Sequence, residues 1–143
     1  MPVKITLLSE ESLRLEGAGG PLTIEAESAD QIYSPFHMLA SGLAVCTYSI
    51  LVSWATNAKM SADDLTIDVE WTFAEKPHRV GELHLTFDWP SLPADRTETA
   101  RRVAALCPIH ASFHHAPTIS VEAKSGTTDP TPARSAHAVA SGA

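Results

Sequence analysis

Only two cysteines occur in the 143 residues, Cys46 and Cys107, and they stand far apart. Such a chain is not a secreted scaffold held by disulfides. Neighbouring basic residues are as scarce: Arg101-Arg102 is the one adjacent pair, and the formal net charge is −7. A phosphate-binding surface needs clustered Lys and Arg, so nucleic acid is excluded as the main partner. The segment Met1 to Glu10 has no long apolar run and turns acidic early, so no signal peptide is expected and the cytoplasm is the default location. The length fits one domain with a real core, and no internal repeat is visible.

A second absence is more informative. From Gln31 to Ala58 there is no Asp, Glu, Lys or Arg. The run is long enough to raise a membrane-spanning reading. Against it stand Ser41, Thr47, Ser49, Ser53, Thr56 and Asn57 within the run, Pro35 near its start, and no basic flank beyond Lys59. A helix apolar nearly all round is otherwise buried at the centre of a protein or between two subunits.

The chain around that run reads as α+β. Val3 to Leu8, Ser12 to Glu16 and Leu22 to Ala26 suit short strands, with a turn from Gly17 to Pro21. Ser34 caps and Pro35 opens a helix expected to reach about Lys59. Leu39, Leu43, Cys46, Ile50 and Ser53 fall on one stripe of it. Leu65 to Ala74 and Val80 to Trp89 alternate cleanly and predict an antiparallel ribbon with one apolar face. Asp95 or Thr97 caps a second helix through Leu106 or beyond, with Val103, Leu106 and His110 on its inner face. Thr118 to Ala123 is a last strand. Residues 1–123 form the domain, and 124–143 are rich in Ser, Thr, Ala, Gly and Pro, which predicts a disordered tail.

Two motifs in this order carry a resemblance. The first is Ser34-Pro35-Phe36-His37-Met38-Leu39-Ala40 leading to Cys46-Thr47. The second is Cys107-Pro108-Ile109-His110, followed by Thr118-Ile119-Ser120-Val121-Glu122. The chain from about Val3 to Ala123 resembles the OsmC/Ohr family. The resemblance implies an OsmC-like fold and an intertwined homodimer with the long helix in the dimer core. It implies reduction of organic hydroperoxides: Cys46 attacks and becomes a sulfenic acid, Cys107 resolves it as a disulfide, and a dithiol reductant restores both thiols. It implies neither a cofactor nor a metal, and no membrane partner.

A peroxidatic cysteine needs a nearby positive charge or hydrogen-bond donors to hold its thiolate. Active members of the family use an N-terminal Arg, held by a Glu just after the Pro that opens the helix. Here Phe36 and His37 follow Pro35, and neither is a carboxylate. Arg14 is the only Arg before Arg79 and is the candidate activator. Strand alternation, with Leu13 and Leu15 inward, points it toward solvent. His37 does not reach Cys46 along one helix, because nine residues at about 1.5 Å each span roughly 13.5 Å. Two readings therefore stand: a hydroperoxide reductase, or a non-peroxidatic dimer that binds a small apolar ligand or a partner in the same cleft, with Cys46 as packing.

Cys107, His110 and His114 share a helical face and offer three zinc ligands by spacing, with no fourth ligand evident, so surface or interface histidines are the plainer reading. Trp54, Trp71, Trp89, Phe73 and Phe87 read as core and sheet packing, some of them lining an apolar pocket over Cys46.

Overall fold

The computed structural model describes residues 2–126 and 136–138. Strands β1 (Val3–Ser9), β2 (Ser12–Gly17), β3 (Thr23–Ala26), β4 (Thr66–Ala74) and β5 (Arg79–Asp88) make one sheet in the order β3-β1-β2-β4-β5. All neighbours are antiparallel except β1 and β3. The ribbon expected from Leu65 to Trp89 is therefore the β4–β5 side of a larger sheet. Its period-2 pattern puts Ile67, Val69 and Trp71 into the core, with Leu83, Leu85 and Phe87 half-buried beside them. Gly81 interrupts the pairing: Thr72 faces Glu82, while Phe73 faces Val80. The extra residue is a bulge, and it turns Val80 back toward the core. A Cβ on Gly81 would lie 2.8 Å from the Ala74 Cβ, so the bulge requires glycine.

Helix α1 (Pro35–Asn57) crosses one face of this sheet. It is long and apolar enough to cross a membrane, but it covers the sheet core instead. His37, Ala40, Ala44, Tyr48, Leu51 and Ala55 are buried on α1; of the stripe read from the sequence, Leu43 is also buried, Leu39 is 39% exposed, and Cys46 and Ile50 are half-buried. The reason is steric. Ala40, Ala44 and Ala55 let the helix lie close on Leu13, Leu15, Ile67 and Val69, and the longer side chains remain for other neighbours.

The expected single helix through Leu106 is two. A single 3₁₀ turn (Ala94–Arg96) leads into α2 (Thr97–Ala104), and α3 (Pro108–His114) follows a break. Pro108 has no N–H to continue α2, and Cys107 becomes the N-cap of α3 instead. Leu106, expected inside, is 72% exposed because the chain turns at that point. Ala100 and Ala104 are the buried residues of α2. Strand β6 (Ile119–Val121) does not join the main sheet but pairs with β7 (Ala136–Ala138). The rest of the expected disordered tail lies outside the described residues, apart from 124–126, which are exposed coil.

Candidate active site

The start of α1 is fixed by a polar knot. Ser34 Oγ accepts from the His37 backbone N–H at 3.2 Å, and His37 Nδ1 accepts from the Ser34 N–H at 3.2 Å. This is a reciprocal capping box in which a histidine takes the place usual for Glu or Gln. His37 Nε2 then donates to the Ser9 carbonyl at 2.9 Å, which ties α1 to the β1–β2 turn. With Nδ1 accepting and Nε2 donating, the ring is the neutral Nε2–H tautomer. The side chain is 1% exposed and meets Trp71 edge to face at 5.1 Å. All of these partners lie within its own chain.

Cys46 lies three turns further along α1, on the flank that faces α3. Its thiol is close enough to Cys107 to share a hydrogen bond and receives the backbone N–H of Ile109. Cys107 is fully buried, and its Sγ accepts from the His110 N–H at 3.4 Å. The first free amides of α3 thus point at the two sulfurs, as the unpaired donors at a helix start allow. Both cysteines are free thiols. Burial and the neighbouring Cys107 push the Cys46 thiol above its ordinary range, and the Ile109 amide pulls the other way. Ile109 was not foreseen, although a Cys-Pro step at a helix start is a signal that the next N–H groups are free.

Arg14 does not join this site. Leu13 and Leu15 enter the core on the α1 side, so Arg14 projects from the opposite face. Its guanidinium forks onto Asp68 of the neighbouring β4, with Nε at 2.7 Å from Oδ1 and Nη2 at 3.0 Å from Oδ2. Register explains the pair, since Arg14 sits directly across from Asp68. The solvent-facing orientation read from alternation is the one observed, and no cation is among the groups acting on Cys46.

One turn before Cys46, a cleft of about 620 Å³ opens between α1, β5 and α3. Phe36, Leu39 and Leu43 form one wall, Val80 and Leu83 a second, and Phe113 a third. Arg79, Glu82, His110 and His114 supply its polar edge. The aromatics read as core and sheet packing are that: Trp71 and Trp89 are core, Trp54 packs edge to face on Trp89, and Phe73 stacks on His78, and none of them lines the cleft. Phe36 and Phe113 are the cleft's phenylalanines; the sequence marked Phe36 as the residue after Pro35 and did not single out Phe113. Leu39 and Leu43 of the helical stripe line the cleft, and Cys46 follows one turn beyond Leu43 on the same flank. Cys107, His110 and His114 do not converge as metal ligands, because the Cys107 sulfur turns inward to Cys46. Among the described residues no group of three or more candidate metal-ligating side chains occurs.

Residues 28–122 match the family model for OsmC-like proteins. No curated protein sequence matches the chain. Among solved structures, an OsmC-like hydroperoxide resistance protein from Jannaschia sp. CCS1 aligns with a TM-score of 0.55 and 18% identity, over 90% of this chain and 92% of that one. A protein from Psychrobacter arcticus 273-4, assigned to osmotic stress induction and detoxification response, aligns with a TM-score of 0.54 and 20% identity, over 78% and 87%.

Proposed function

The chain belongs to the OsmC-like family, and on that premise we propose that it is a thiol-dependent reductase of organic hydroperoxides that works as a homodimer in the cytoplasm. The observation that carries this reading is the meeting of the Cys46 and Cys107 thiols beside the first amides of α3. In the first step the Cys46 thiolate attacks the terminal oxygen of the hydroperoxide. The O–O bond breaks, the alkoxide leaves and takes a proton as alcohol, and Cys46 becomes a sulfenic acid. The Cys107 sulfur then attacks the Cys46 sulfur, an S–S bond forms, and water leaves. A dithiol reductant returns both thiols by exchange and departs as its own disulfide.

The apolar cleft suits the organic part of such a substrate, because Leu43 and Cys46 are neighbours on the same helix flank. The Ile109 amide supplies the donor that favours the thiolate. Exposed Met38, Leu39, Ile109 and Phe113 give a second copy an apolar surface to cover.

A second reading is favoured by the electrostatics. The only Arg near the N-terminus is committed to Asp68 on the far face, and burial raises the Cys46 thiol. A non-peroxidatic dimer that holds a small apolar ligand in the cleft fits those facts. One experiment separates the two: the reduced protein is treated with one equivalent of an organic hydroperoxide, then intact mass and free thiols are measured. Loss of two thiols with a Cys46–Cys107 disulfide, absent in Cys46→Ser, is expected for the reductase. Unchanged thiols would sink it and leave the ligand-binding dimer.

A further inference from the structure

The redox reading makes no use of the two histidines on the cleft wall. His110 and His114 are four residues apart on α3, their rings are 4.7 Å apart between centroids, and their Nε2 atoms are 3.0 Å apart. Both line the cleft. Two nitrogens bound to one metal at about 2.05 Å lie about 2.9 Å apart at a right angle and about 3.3 Å apart at the tetrahedral angle. The observed spacing falls between these limits. The i, i+4 step gives the geometry, because side chains four apart on a helix stand one above the other.

We propose that His110 and His114 form a two-histidine site for a divalent transition-metal ion at the edge of the cleft. Imidazole nitrogens suit zinc, nickel and copper, and not the hard cations calcium and magnesium. Cys107 takes no part, since its sulfur is buried against Cys46 and accepts the His110 backbone N–H. The ion has open coordination positions on the cleft side. Water fills them when the cleft is empty, and an oxygen of a cleft occupant replaces it. The site does not depend on peroxide turnover, so it stands or falls apart from the redox reading.

The test is calorimetric titration of tag-free, reduced protein with Ni²⁺, Co²⁺ and Zn²⁺, with Mg²⁺ as the hard-cation control. One ion per chain is expected, bound in the order Ni²⁺ above Co²⁺, with no heat from Mg²⁺. Loss of a direct ligand costs at least as much as loss of an outer-shell partner, so His110→Gln and His114→Gln each weaken binding by at least about tenfold. His115→Gln, next door and outside the cleft lining, retains it. Circular dichroism checks that each variant is folded. Replacement of the ion by Co²⁺ reports the ligands through its absorption spectrum. Failure to bind at millimolar metal would mean that the histidines only share a hydrogen bond. Binding that survives His114→Gln, or a sulfur-to-cobalt charge-transfer band, would place the ion elsewhere. Any of these results overturns the proposal.

Discussion

Replacing His37 by Ala tests whether a buried histidine, rather than a carboxylate, secures the long helix. The change removes the acceptor for the Ser34 N–H and the donor to the Ser9 carbonyl. Each such hydrogen bond contributes about 0.5–1.5 kcal/mol net. It also removes the edge-to-face contact with Trp71 at 5.1 Å, and an aromatic pair contributes about 0.5–1.5 kcal/mol. The ring is nearly fully buried, so its removal leaves a hole that the surroundings only partly fill. Together these terms predict a loss of about 3 kcal/mol, with a fall of about 10 °C in Tm for a chain of this size. Urea unfolding at one fixed protein concentration is the assay, because association with a second copy would make stability concentration-dependent. His37→Gln keeps an acceptor at the third helical position and is expected to lose about half as much. A His37→Ala protein within about 1 kcal/mol of the parent would refute the reasoning, since two hydrogen bonds, a ring contact and a buried volume would then count for nothing.

Three further outcomes follow from the geometry. The rate of Cys46 alkylation, measured against pH in a Cys107→Ser background, is expected to keep rising above the ordinary thiol range near ~8.5. Burial raises the Cys46 thiol, and a raised pKa means that the thiolate appears only at higher pH; a plateau at or below neutral pH would contradict this. The same sign applies to stability: the half-buried neutral thiol favours the fold at low and neutral pH, and that contribution fades as pH rises through the folded-state value. Gly81→Val forces a Cβ to within 2.8 Å of the Ala74 Cβ, so thermal unfolding should show a loss of about 1–3 kcal/mol, and an unchanged Tm would mean the bulge is not needed. Arg14→Ala should leave hydroperoxide consumption unchanged and alter stability by less than about 1 kcal/mol, because its pair with Asp68 is solvent-exposed. A large drop in turnover would show that Arg14 acts on Cys46 after all.

Much of the fold is legible because it repeats locally. Ile67, Val69 and Trp71 alternate along one strand, and Leu83, Leu85 and Phe87 along its neighbour, so β4 and β5 can be read without a structure. The charge-free run and the Ser34-Pro35 start likewise mark α1 to within two residues of its observed end. Local spacing gathers Leu39, Leu43, Cys46 and Ile50 on one stripe but does not say which flank of α1 meets the sheet; the structure gives that place to Ala40, Ala44 and Ala55 with Tyr48 and Leu51. Arg14 could be pointed outward by alternation, but its partner Asp68 depends on the pairing register of β2 and β4, which no single segment encodes.

The candidate site divides in the same way. The sequence by itself determined the two thiols, their helical settings, the absence of a carboxylate after Pro35 and the spacing of His110 and His114. Those are properties of neighbouring residues at fixed periods. Only the tertiary structure decided that Cys46 and Cys107 meet, that α3 turns its first amides to them, and that the cleft lies between α1, β5 and α3. These pairings join residues far apart in the chain. They are set by which surfaces pack once the chain turns back at Pro108, and that is a balance of burial and loop closure spread over the whole domain.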